Sequence, residues 1–136
     1  VTALGGRTIF HRLPLRPGAP LFGAVGPQGQ AILGLPGNPV SVMITARRFA
    51  WTVLRHLAGM QEPQSRPAVI PLCRPADEVA RLWWFRLVRL TQAGLAELVP
   101  TQGSGDIVAL GRSDGFVEVS PEATGAGPWP FYSWED

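Results

Sequence analysis

The spacing of apolar and polar positions changes once along the chain. In the first part, Thr8–Leu13 reads as a strand and Leu21–Val25 as a second short one. Gln30–Leu35 is mostly apolar, as a strand buried on both faces would be. Arg16-Pro17-Gly18-Ala19-Pro20 reads as a loop, since two prolines and a glycine interrupt any ladder. A helix is predicted next. Asn38 suits its N-cap, Pro39 its first turn and Gly59 its C-terminal stop. Ser41, Thr45, Arg48, Thr52 and Arg55 form a polar stripe along it, opposite the apolar stripe Val42, Ala46, Phe49, Val53 and Leu57. Strand, tight turn and helix in that order make an α/β unit.

After the polar, proline-containing stretch Met60–Pro67 the rhythm shortens to period two. Ala68–Cys73, Leu82–Leu90, Leu95–Val99, Phe116–Val119 and Phe131–Trp134 are strand candidates. Asp106–Leu110 fits a strand or a single helical turn. The second half therefore reads as a small all-β module, a barrel or a sandwich. The expected organisation is α/β followed by all-β: residues 1–59, a linker at 60–67, and residues 68–136.

Composition sharpens this picture in three ways. Hydrophobic residues make up 46% of the chain, enough for a core and too many for global disorder. Cys73 is the only cysteine, so no internal disulfide forms, and no run reaches the roughly 20 apolar residues of a membrane span. No signal-like start is visible, and a cytoplasmic location without membrane attachment is the expectation. Residues 1–61 hold six arginines and no Asp or Glu, whereas residues 62–136 hold six arginines and all ten acids. A carboxylate-free basic half suits an anionic ligand. A division of one domain's charges between this chain and sequence outside it explains the asymmetry equally well.

The informative run is Gly34-Leu35-Pro36-Gly37-Asn38-Pro39-Val40-Ser41, at the junction of strand and helix. Ligands of α/β sheets bind at the carboxyl ends of strands, and a helix start offers unpaired N–H groups and a positive dipole end. Pro36 and Pro39 stiffen the turn, Gly37 permits close approach, and Ser41 adds a hydroxyl. The plainer reading is that any strand-to-helix turn favours Pro, Gly and Asn.

Other residues carry less. His11 and His56 have no metal-ligand spacing, and Cys73 has no Cys or His neighbour. Trp83-Trp84-Phe85 among arginines fits strand alternation better than stacking on nucleic acid, with Trp84 and Arg86 on one face. Gly103-Ser104-Gly105 is too short for a phosphate loop and reads as a turn.

The unbroken string G-L-P-G-N-P-V-S at 34–41 is identified as the hallmark of the MoeA/gephyrin family. Phe10-His11-Arg12 and Arg16–Gly23 resemble that family's F-x-x-V-x-x-K-P-G-K-P-x-x-F-G approach. Phe85-Arg86-Leu87, Gln102–Gly105 and Ser113–Phe116 resemble its terminal β domain. The resemblance implies the C-terminal portion of a molybdopterin-binding α/β domain of the MoaB/MogA type, then a small β-barrel-like module like MoeA domain IV. It implies insertion of molybdate into adenylylated molybdopterin, with release of AMP and a need for magnesium. A non-catalytic molybdopterin-binding or gephyrin-like scaffold is the alternative.

By the same resemblance, Pro36, Gly37, Asn38, Pro39, Ser41 and Arg16 are the substrate- and molybdate-binding candidates. The family's two lysines are replaced by Arg16 and Ala19. Arg holds an oxyanion bidentately where Lys acts as a point charge. No metal ligand and no complete catalytic set is expected in this chain. The magnesium ligands are expected outside it, so alone it should be inactive. The resemblance also implies a homodimer for the full-length protein; from the residues themselves no nucleic-acid or membrane partner is expected.

Overall fold

A computed structural model describes residues 1–61, 67–76 and 78–135. Most of the expected linker, residues 62–66, lies outside them. A 3-10 turn, Thr2–Leu4, ends at Gly5 in the left-handed conformation. Strands β1 (Arg7–His11), β3 (Phe22–Val25) and β4 (Ala31–Gly34) form an antiparallel sheet in the order β1-β3-β4. The strand expected to be buried on both faces is thus an edge strand, and Ala31 and Ile32 are exposed. Apolar composition does not distinguish an edge strand from a central one.

The helix runs from Pro39 to Leu57 as α1 (Pro39–Thr45), a π-helical turn (Ala46–Ala50) and α2 (Trp51–Leu57). Its buried face differs from the predicted one. Ser41 and Thr45, expected on the polar stripe, are 3% and 0% exposed beside Val40 and Ile44. Thr45 Oγ1 donates to the Ser41 carbonyl at 2.7 Å, so this hydroxyl is satisfied by the helix itself and can be buried. Leu57, expected on the apolar stripe, is 64% exposed.

The second sheet has the order β2-β6-β8-β9-β5, with β7 also on β6. Its strands are β2 (Leu15–Arg16), β5 (Val69–Ile70), β6 (Trp83–Leu90), β7 (Ala96–Leu98), β8 (Gly115–Val119) and β9 (Trp129–Ser133). One short helix, α3 (Ile107–Gly111), lies between β7 and β8, which resolves the strand-or-helix ambiguity there. The sheet curls on itself without closing. After β5, Leu72 reaches β7 only through an isolated bridge to Ala96.

Strand β2 belongs to the first part of the chain but pairs in parallel with β6, Leu15 with Trp83 and Arg16 with Trp84. The loop expected from Arg16 thus begins one residue later. A two-residue pairing with a partner so distant in sequence leaves no periodic signature.

Two apolar clusters result. The first joins Leu15, Leu21, Val40 and Ile44 to Phe85, Leu87, Ala109 and Phe116, so it draws on both sides of residues 60–67. Phe116 is fully buried among Phe85, Tyr132 and Trp134, with ring centroids 5.6, 5.1 and 5.3 Å away. Aromatic pairs of this kind contribute about 0.5–1.5 kcal/mol each beyond their buried area. The second cluster, Leu72, Ala76, Val88, Ala96, Val117 and Val119, fills the curled sheet.

Polar ties reinforce the junction. Arg48 Nε donates to Glu118 at 2.8 Å, and Arg47 Nε to the Ser133 carbonyl at 2.8 Å. Burial, followed by the charge of Glu118, pushes the Tyr132 hydroxyl up to about 12.

Candidate functional site

The turn between β4 and α1 faces the second half of the chain across a cleft of about 1020 Å³. Pro36, Gly37, Asn38, Ser41 and Arg16 line it, and Pro39 is not among the lining residues. Gly18, in the loop after β2, has φ +114°, and a Cβ there would lie 2.7 Å from Thr45 Cγ2. Glycine is therefore required for this loop to sit on α1. At Gly37, by contrast, a Cβ would meet no protein atom within 4 Å.

The helix start is already tied. Asn38 does not cap α1 with its side chain. Its Nδ2 donates to Ser104 Oγ at 2.7 Å, while the Val40 N–H donates to the Ser104 carbonyl at 3.0 Å. Val40, a donor that a helix start would otherwise offer to an anion, is thus engaged by protein. Ser104 belongs to a loop closed by Asp106. The Asp106 carboxylate accepts the N–H groups of Gln102 at 3.0 Å and Ala109 at 2.9 Å. These two bonds, Gln102's first, lower the Asp106 carboxyl below its ordinary value.

The opposite wall supplies side chains that periodicity presents as ordinary strand residues. Arg86 and Trp84 of β6 both line the cleft. The Arg16 guanidinium carbon lies 4.6 Å from the Trp84 ring centroid and that of Arg86 4.2 Å. Arg16, Arg74 and Arg86 face this space together with Glu78 and Glu97. Carboxylates from the second half therefore line the same cleft as the turn, although residues 1–61 contain none.

Both carboxylates have cationic neighbours: Glu97 at 2.8 Å from Arg89, and Glu78 at 4.0 Å from Arg16. Among the described residues no group of three or more His, Cys, Asp or Glu lies together. The arrangement can hold an oxyanion by charge and hydrogen bonds, between guanidiniums on one wall and a stiff turn on the other.

Sequence reasoning picked out the turn and Arg16 but passed over Arg86, Trp84 and Ser104. The Gly-Ser-Gly turn and the Trp-x-Arg alternation were their only local signals.

Known proteins similar to this chain share one name. The molybdopterin molybdenumtransferase of Synechococcus elongatus is 38% identical over 111 residues, 81% of this chain and 27% of that protein. That of Synechocystis is 30% identical over 139 residues, 96% of this chain and 33% of that protein. The chain is similar to a C-terminal part of these molybdopterin molybdenumtransferases. It spans 27% and 33% of the length of these two curated relatives. No protein-family model matches it.

The fold agrees. A molybdopterin biosynthesis MoeA protein of Pyrococcus horikoshii superposes with a TM-score of 0.77 at 24% identity, over 99% of this chain and 34% of that one. A second structure of the moeA protein from that organism gives 0.70 at 21% identity, over 92% and 31%.

Proposed function

We propose that this chain forms one wall of the site at which a molybdopterin molybdenumtransferase inserts molybdate into adenylylated molybdopterin, releasing AMP. The observation that carries the reading is the cleft itself. It is lined together by the Pro36-Gly37-Asn38 turn, by Ser104 bonded to that turn, and by Arg16 and Arg86, so that cations and hydroxyl or amide donors border one space that an oxyanion could enter. The relatives' name, molybdopterin molybdenumtransferase, supports a transfer of molybdenum to molybdopterin.

In this role the guanidiniums of Arg16 and Arg86 bind and orient the anionic group. Pro36 and Pro39 keep the turn stiff, and Asn38 and Ser104 hold the two walls in register. Ser41 is almost fully buried, and Pro36 is buried as well. The proposal extends to magnesium held by carboxylates outside these residues, to a homodimeric whole protein and to a cytoplasmic location. Among the described residues, no helix is long and apolar enough to cross a membrane.

An NMR titration of the chain with molybdate tests the site. With one wall present, millimolar affinity is expected, about −4 kcal/mol, and added salt should weaken it. Shifts should concentrate at the Gly37 and Asn38 amides and at the Nε–H groups of Arg16 and Arg86. Shifts spread instead over Arg81, Arg89 and Arg112 would mean diffuse charge attraction and would sink the reading.

A further inference from the structure

Asn38 has the extended backbone of an N-cap residue, φ −79° and ψ 136°, yet its side chain makes no capping bond to α1. Asparagine at that position ordinarily accepts an N–H of the first turn, a stabilising bond that this chain forgoes. The side chain turns to the second half instead. Its Nδ2 donates to Ser104 Oγ at 2.7 Å, across 66 residues of sequence. The Ser104 loop has other ties. The Val40 N–H donates to the Ser104 carbonyl at 3.0 Å, and the Asp106 carboxylate closes the loop on the Gln102 and Ala109 N–H groups. The side-chain bond is left to fix the hydroxyl.

A serine hydroxyl has one proton to give and two lone pairs to receive with, and it rotates to suit its neighbours. A neighbour that only donates, as Nδ2 does, occupies a lone pair and leaves the proton to point elsewhere. Among the described residues no acceptor takes that proton. Ser104 lines the cleft together with Gly37 and Asn38, so an acceptor within the cleft can meet it. Donation into the oxygen also polarises the O–H, which makes it a stronger donor to an anion.

We propose that Asn38 is a positioning residue: its side-chain amide sets the Ser104 hydroxyl as a donor toward the oxyanion. The inference rests on the reading of the cleft as an oxyanion site. It adds to that reading a side chain that acts through Ser104 and not on the anion itself. The role needs a donor at position 38, because a carboxylate of the same shape would draw the proton to itself.

The test is a double-mutant cycle in the full 136-residue chain, with molybdate as the probe: Asn38→Asp, Ser104→Ala and both together. Ser104→Ala should weaken binding about fivefold, as the loss of one hydrogen bond does. The charge brought by Asn38→Asp repels the anion whether or not Ser104 is present, and the cycle cancels it. Asn38→Asp should therefore weaken binding about fivefold more in the native background than in the Ser104→Ala chain. Amide exchange at Val40 should stay slow in Asn38→Asp, since the backbone bond to Ser104 remains. In the native chain without ligand, one Asn38 side-chain amide proton should resonate away from the position of a free asparagine.

An equal effect of Asn38→Asp in both backgrounds would overturn the positioning role and leave the anion site standing. Native affinity in Ser104→Ala would do the same, with the arginines as the remaining donors. Fast Val40 exchange in Asn38→Asp would make the side chain a tie for the loop and overturn its role toward the hydroxyl. A free-asparagine resonance in the native chain would overturn the bond itself, and needs no variant to fold. A native chain with the displaced resonance but no molybdate response would overturn the anion-site reading, and the positioning role with it.

Discussion

At Gly37 the fold leaves open space where a Cβ would go, and the residue's φ lies outside the left-handed region. The protein's own packing therefore does not demand glycine there. Gly37→Ala is expected to unfold no earlier than the native chain, and a gain of about 0.4–1 kcal/mol is reasonable because the unfolded chain loses freedom. The same methyl group projects into the proposed anion space, so the molybdate response should fall. Paired thermal melts and titrations check this; a destabilised but still binding variant would contradict both halves of the argument.

Tyr132 makes a second residue-level case. Its folded value of about 12 lies above the ordinary 10.0. The folded state therefore holds the phenolic proton more tightly than the unfolded one. The stability this contributes is present in full below pH 10.0 and is lost as pH rises through about 12. Tyr132→Phe should flatten the alkaline fall in stability over that window, measured as urea midpoints against pH. An unchanged alkaline slope would assign the fall to other groups.

Among the elements, the unit from Gln102 to Gly111 matters most for the site. Its loop presents Ser104 to the helix start, and Asp106 closes the loop and caps α3. The folded Asp106 carboxyl is lowered from its ordinary 3.8, so its contribution is present above 3.8 and lost as pH falls through the lowered value. Acidification should therefore free the Ser104 loop, and amide exchange at Val40 should accelerate as its acceptor departs. In Asp106→Asn this acid dependence should vanish, while Val40 exchanges faster at neutral pH. Equal Val40 protection in both proteins would show that the loop holds without its cap.

At the scale of the whole molecule, the first apolar cluster crosses the expected boundary between residues 1–59 and 68–136. The β2–β6 pairing and the Arg47 and Arg48 bonds cross it too. Protease should cut first in the polar Gln61–Arg66 stretch, whose composition is that of a linker. The two pieces should nevertheless stay together on a sizing column. Ile44→Ala, which removes a fully buried side chain from the shared cluster, should cost about 2–5 kcal/mol and release the cut pieces from each other. Separation of the native pieces immediately after the first cut would show that the shared cluster is too weak to join them.

The chain's own order of residues determined the local parts: the strand–turn–helix unit, the change to short strands after residue 67, and the Pro36–Ser41 turn with Arg16 before it. Each is written in a few neighbouring residues, through periodicity, prolines and a helix-start asparagine, and so needs no knowledge of distant contacts. The tertiary structure decided which helix face is buried, because the Thr45 hydroxyl finds its acceptor within the helix. It also decided that β4 lies at an edge and that β2 joins the second sheet. Above all, it decided that Trp84, Arg86 and Ser104 line one cleft together with the turn. Those groups come together only through strand register and loop closure between remote segments. One such pairing reverses which residues count as polar surface and which as site, and no local pattern records it.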